Sequence, residues 1–235
     1  MATLSIALTG NPNTGKSTIF NELTGARQKI GNWPGVTVDK KMGYVNHKER
    51  AISIVDLPGT YSINARSPEE KIVIDYLLSS NPDLVVDVID SSNIERNLFL
   101  TVQLLEKGIP VLLDLNMQDE AGRRGIKINT AKLEEAFGMP VTETVGRSRK
   151  SVRKLLDVFT STVMSGYCPS DMLKDHIAAV KEVENSGMPE GKIEENIIAL
   201  RYELIDKIMA EAVIVENVGP SRSEKIDRFL ANGFM

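Results

Sequence analysis

The chain has 235 residues, of which 42% are hydrophobic and 26% charged, with a formal net charge of −4. That is room for one ordinary domain plus a smaller appendage, and it leaves no overall basic field for nonspecific nucleic-acid binding. A single cysteine, Cys168, excludes an internal disulfide and with two histidines cannot furnish a protein-only zinc site, and no stretch nears the roughly 18 apolar residues of a membrane helix.

The N-terminus lacks the charged start and cleavage site of a secretory leader. Leu4 to Thr9 reads as the first strand. It runs directly into Gly10-Asn11-Pro12-Asn13-Thr14-Gly15-Lys16-Ser17, which satisfies G-x-x-x-x-G-K-[ST], and a helix is predicted from Lys16 to Thr24. The glycines let the backbone curl until its N–H groups converge on phosphate oxygens, at a helix N-terminus that favours anions. Lys16 supplies charge to the β- and γ-phosphates, the Ser17 hydroxyl can ligate magnesium, and Thr18 follows in the same first turn.

A strand from Ala51 to Asp56 leads into Asp56-Leu57-Pro58-Gly59, a D-x-x-G turn in which Asp56 reaches magnesium and the Gly59 N–H meets the γ-phosphate. The copy of that pattern at Asp119 to Gly122 lies after a strand with another motif and reads as chance. Thr60 stands where Ras-like enzymes place a water-orienting Gln, and no Arg lies in the phosphate loop or the Asp56 to Ser62 turn. Ser67-Pro68-Glu69-Glu70 supplies the cap, first-turn Pro and acidic residues of a helix read to Ser79.

A strand from Leu84 to Asp90, a helix from Arg96 to Lys107 and a strand from Val111 to Asn116 follow. Leu98, Val102 and Leu105 form a core-facing stripe. Asp87 and Asp114 interrupt apolar strands, where an ionised carboxylate needs a partner, so they are expected to hydrogen-bond under covering helices or to face solvent. Asn116-Met117-Gln118-Asp119 resembles the N-K-x-D guanine motif, with Met117 in place of Lys. A carboxylate at Asp119 accepts from both the N1–H and the 2-amino group of guanine, a pair that adenine does not offer.

A helix from Thr130 to Phe137, a strand from Val141 to Val145 and a helix from Val152 to Thr162 complete the alternation. Val145, Gly146 and Arg147 stand at the guanine-supporting loop, where Ser-Ala is common. Beyond Gly166 to Ser170 the chain reads as helices only: Asp171 to Ser186, Ile193 to Glu216 and Glu224 to Leu230, the last with a capping box at Ser221 and Glu224. Ile197, Leu200, Leu204, Ile208 and Met209 give the second of these a packing face. The expected fold is α/β, a Ras-like P-loop GTPase with a mostly parallel sheet over residues 1–167, followed by a small all-helical domain over 168–235.

Five stretches together resemble the ferrous-iron transport protein B family (FeoB), in its N-terminal G domain with a helical regulatory domain behind it. They are GNPNTGKSTIFNELTG at 10–25, GNWPGVTVDKK at 31–41, DLPGTYS at 56–62, IERNLFLTVQLLE at 94–106 and LNMQDEA at 115–121. The Met117 variant is itself a feature of that family. The resemblance implies a GTP-hydrolysing switch that binds GTP and GDP with magnesium held by Ser17, Thr37 and Asp56. It places Gly35, Val36 and Thr37 in a first switch that senses the γ-phosphate, with Trp33-Pro34-Gly35 part of that mobile element rather than merely an exposed aromatic loop. It assigns a potassium ion to Asn13, with Lys16, Asn13, Thr37 and Gly59 as the catalytic set. The implied partners are a membrane-embedded iron-transport domain outside this chain and small accessory transport proteins, at the cytoplasmic face of the bacterial inner membrane. Nucleic acid is not among them, and oligomeric state stays open. Iron itself is not expected here, since no His, Cys or carboxylates stand at ligand spacing. The alternatives are an RNA- or ribosome-associated GTPase, opposed by the acidic tail from Glu182 to Glu216, and a nucleotide-sensing module that barely hydrolyses.

Overall fold

The computed structural model describes residues 3–25, 28–33, 36–64, 67–166 and 168–216. Its main sheet has seven strands: β1 (Leu4–Thr9), β2 (Gln28–Asn32), β3 (Asp39–His47), β4 (Arg50–Asp56), β5 (Leu84–Asp90), β6 (Val111–Asn116) and β8 (Val141–Glu143), in the order β2-β3-β4-β1-β5-β6-β8. All neighbouring pairs from β4 to β8 are parallel, while β3 runs against both β2 and β4. The α/β expectation therefore holds.

Strands β1, β5 and β6 are almost wholly buried, as suits a sheet covered on both faces. On one face α1 (Lys16–Thr24) and α6 (Arg149–Ser165) enclose Ile19, Phe20, Val152 and Phe159 with the sheet. On the other, α2 (Pro68–Ser80), α3 (Ile94–Glu106) and α5 (Thr130–Phe137) build a second core. The Ser67 cap forms as expected, with Ser67 Oγ accepting from the Glu70 N–H at 3.1 Å, and the Glu70 side chain completes a capping box.

Strands β2 and β3 escaped the sequence reading. QKIGN is nearly all exposed and DKKMGYVNH alternates poorly, so edge-strand polarity hides the period of two. The short helix α4 (Gln118–Arg123) was also missed.

The tail departs from a purely helical reading. Helices α7 (Asp171–Glu184) and α8 (Glu190–Ala212) are present, but the chain then forms β9 (Val213–Val215), antiparallel to β7 (Ile126–Ile128). Three consecutive β-branched residues favour extension over the helix once expected there. Leu173, Leu204, Ile205 and Ile208 share the core of α3 and α5, so α7 and α8 are packed onto the sheet-bearing part rather than hung from it. Buried Glu106 of α3 receives Arg201 Nη2 at 2.6 Å and lies 2.8 Å from His176 Nε2, and these partners hold its carboxyl below the usual range against the desolvation that opposes them. The helix predicted at 224–230, with its Ser221 and Glu224 box, lies outside the described residues.

Asp87 and Asp114 are fully buried and hydrogen-bonded, not open to solvent. The Thr101 hydroxyl donates to Asp87 at 2.7 Å, and Thr142 and Thr144 donate to Asp114 at 3.0 and 2.8 Å. Desolvation pushes both carboxyls up to about 7, which these hydroxyls only partly offset.

Candidate functional site

The β1 strand delivers the chain at Gly10 to a loop that closes on α1. Gly10 has φ +145°, and a Cβ there would lie 2.2 Å from the Val88 carbonyl oxygen; Gly15, at φ +85°, would clash with Asn116 Nδ2 at 2.3 Å. Glycine is thus required at both by conformation and by close approach. The loop, with Gly59 and Met117, walls a cavity of about 570 Å³ whose lining runs from Asn11 through Pro12, Asn13, Thr14, Gly15, Lys16 and Ser17 to Thr18.

Within it, the Lys16 ammonium is ion-paired with Asp56, both side chains buried, and Ser17 Oγ donates to the other Asp56 oxygen at 3.0 Å. The sequence reading placed these three at one site from motifs 40 residues apart, and the parallel pairing of β1 with β4 is what joins them. A hydroxyl and a carboxylate side by side are hard oxygen donors, the set that suits magnesium. Asn13 is exposed on this wall in a left-handed turn (φ 68°), leaving a neutral amide oxygen available to a monovalent cation. Asn11 is buried with neither side-chain amide atom partnered.

Thr60 does not face the cavity. Its N–H donates to the Gly10 carbonyl at 3.1 Å and its hydroxyl to the Ser62 carbonyl at 2.6 Å, so it braces the turn.

A second cavity of about 400 Å³ adjoins the first across Gly15, Thr18 and Met117, and is lined further by Asn116, Asp119, Val145, Gly146 and Arg147. Asn116 is buried and committed to protein. Its Nδ2 donates to the Thr14 carbonyl at 2.8 Å, and its Oδ1 accepts from the Gly146 N–H at 2.8 Å and the Thr144 hydroxyl at 3.3 Å. The geometry thus makes Asn116 a brace between loops. Asp119 is half exposed at the cavity rim and pairs with Arg123 Nη2 at 3.2 Å. Arg123 and Glu120 also line this cavity. The sequence reading passed over both, although Arg123 at i+4 from Asp119 on α4 was a usable signal.

The first switch is only partly brought to the site. Val36 is half-buried, Thr37 is exposed, and neither lines the phosphate cavity in this conformation; Gly35 and Pro34 lie outside the described residues. Trp33 is buried, not exposed, with its ring 5.4 Å edge-on to Tyr76 of α2 and Lys40 Nζ 4.6 Å from its centroid.

Comparison with known proteins agrees with this geometry. The family described as Ferrous iron transport protein B matches residues 4–159. The Fe(2+) transporter FeoB of Shigella flexneri is 46% identical over 164 residues, which is 67% of this chain but 21% of that protein. The chain therefore spans about a fifth of the length of the curated relatives it matches. The crystal structure of the cytosolic domain of the T. maritima FeoB iron transporter in a GDP form superposes with a TM-score of 0.81 at 31% identity, covering 91% of this chain and 100% of that one. The G domain of the T. maritima protein, solved separately, gives 0.64 at 40% identity over 68% of this chain and 99% of its own.

Proposed function

The chain belongs to the ferrous iron transport protein B family, and on that premise we propose that it binds and hydrolyses GTP as the switch regulating ferrous iron passage through a membrane-embedded part of a longer protein. The observation that carries this reading is the Lys16–Asp56–Ser17 cluster at the base of the phosphate cavity, beside the cavity rimmed by Asp119. Lys16 and the loop N–H groups would hold the β- and γ-phosphates. Asp119 would read the guanine edge, Asn116 would keep the surrounding loops in register, and Val145, Gly146 and Arg147 would flank the base. Ser17 and Asp56 would hold magnesium, joined by Thr37 when the first switch closes and brings Gly35 and Val36 to the nucleotide, with the Gly59 N–H on the γ-phosphate. Asn13 would contribute to a potassium site. When bound, the two cations supply positive charge to the transferring phosphoryl group, a role arginine fingers fill in other GTPases.

Residues 1–167 would form the nucleotide-binding unit and 168–235 the regulatory appendage, acting through α3 and α5. The full-length protein would work at the cytoplasmic face of the bacterial inner membrane, with small accessory proteins as further partners. One observation favours a second reading, a nucleotide sensor with negligible hydrolysis: the Thr60 hydroxyl is turned onto its own turn rather than toward an attacking water.

Single-turnover GTP hydrolysis in matched potassium and sodium buffers separates the two. The switch reading expects faster turnover in potassium and loss of that advantage in Asn13→Ala. Equal rates remove potassium, and no turnover in either leaves the sensor. In Lys16→Ala both GTP affinity and turnover should collapse, and their survival would overturn the phosphate-loop assignment.

A further inference from the structure

A cavity of about 630 Å³ shares no lining residue with the two nucleotide cavities. Its apolar floor is Leu23, Val45 and Leu156, with Tyr44 beside it, and its charged rim is Arg149 and Arg153 of α6, Glu22 of α1 and His47 of β3, whose Nε2 lies 2.8 Å from Asp157. Arg149 and Arg153 stand one helical turn apart. The Arg149 guanidinium has only Glu22 at 3.9 Å, and Arg153 has no ion pair among the described residues. Arg147, Arg149, Lys150, Arg153 and Lys154 fall within eight residues that contain no acid, in a chain whose net charge is −4. Like charges at i, i+4 disfavour a helix, so this concentration does nothing for α6 itself. A solvated basic face would account for the charge, but not for its placement around a cavity with an apolar floor.

We propose that this cavity binds a phosphoester anion, the phosphate shared between the Arg149 and Arg153 guanidiniums and its carbon body lying over Leu23 and Val45. Guanidinium forks match phosphate oxygens, and the volume is that of a small-ligand site. Two walls are the far ends of elements that begin at or near the candidate nucleotide site, α1 and β3, and the third is the first two turns of α6, which begins beside it. The α1 helix starts at Lys16 and ends here, β3 starts two residues after Thr37, and α6 starts two residues after Arg147. Occupancy would therefore shift nucleotide affinity, and nucleotide would shift occupancy by the same factor. That coupling rests on the guanine-nucleotide reading above.

The test uses the 235-residue chain loaded with GDP and magnesium, so that the phosphate loop is filled before any probe is added. Glycerol phosphate, followed by amide NMR shifts, represents a soluble source. Phosphatidylglycerol vesicles against phosphatidylcholine vesicles, followed by co-sedimentation, represent a lipid headgroup. One probe or the other should bind saturably, glycerol phosphate by shifting Gly25, Val45 and His47. Binding should weaken about tenfold or more in Arg149→Ala/Arg153→Ala, whose GDP affinity without probe stays unchanged, and little in Lys150→Ala/Lys154→Ala. The bound probe should alter GDP release severalfold in the parent chain only. Binding by neither probe, binding that survives the arginine double variant, or equal weakening by the lysine pair would overturn the site. Binding without any effect on GDP release would overturn the coupling. A chain that fails to load GDP at all would instead indict the nucleotide reading, and the probe titration on it still tests the cavity.

Discussion

The Oδ1 of Asn116 accepts the backbone N–H of Gly146 at 2.8 Å, while its Nδ2 holds the Thr14 carbonyl at the same distance. One side chain thus ties the Gly10–Ser17 loop to the loop at Gly146. Asn116→Ala would leave both backbone groups unpaired in a buried setting, at about 1–3 kcal/mol each. GDP and xanthosine diphosphate should weaken together, by roughly tenfold to a hundredfold. Titration calorimetry checks this; a selective loss of GDP alone would return Asn116 to base recognition.

Asp119 should behave in the opposite way. Its carboxylate sits at the rim with only the exposed Arg123 as partner. Asp119→Asn would offer a donor to the 2-oxo group of xanthine, so preference should move from guanosine toward xanthosine nucleotides with little change in fold stability. A competition assay showing unaltered preference would remove Asp119 from the base site.

The buried carboxyls of Asp87 and Asp114 make a prediction about pH. Both are raised to about 7, above the unfolded value of about 3.9, so the folded state binds these protons more tightly. Their contribution favours folding at low pH and is lost as pH rises from about 4 toward 7. Asp114→Asn keeps donors and acceptors near Thr142 and Thr144 without a titrating group, so its melting temperature relative to the parent should rise between pH 5 and pH 8. A pH-independent difference would show that Asp114 is already ionised in the folded protein at pH 5, so that burial does not raise its carboxyl.

Trp33 is the chain's one tryptophan, and its indole is buried against Tyr76 with Lys40 over the ring. It thereby joins the segment before Thr37 to the helix that follows the Asp56 to Ser62 turn. We expect Trp33 to leave this packing when Thr37 is brought to the cavity lined by Asn11 to Thr18. A non-hydrolysable GTP analogue with magnesium should shift its emission to the red, and GDP should not. Identical emission with both nucleotides would mean that the switch closes with Trp33 still docked.

The central sheet was legible because β1, β5 and β6 are short, mostly apolar and buried, and the three candidate motifs because they follow β1, β4 and β6 directly. The polar edge strands β2 and β3 carry no such period, and β9 owes its pairing to β7, a partner no local pattern announces. Asp119 was readable as a carboxylate suited to the guanine edge, and its place at a cavity rim comes from the structure. The bracing role of Asn116 was not, because it depends on two loops brought together only by tertiary packing. The burial of Trp33 was hidden for the same reason: Tyr76 lies 43 positions away in sequence.

The pairing of β7 with β9 also orders events during synthesis. Lys127 and Glu216, whose ion pair closes that small sheet, are 89 residues apart. When the ribosome has delivered residue 166, every candidate nucleotide residue has already been made, while the strand that clasps the region after α4 has not. Chains fold from the N-terminus as they emerge, and a ligand that binds only the folded form stabilises it. On the proposed nucleotide reading, a nascent chain would hold every residue of that site before β9 is made, and the appendage would complete its fold on a unit already able to take up its ligand.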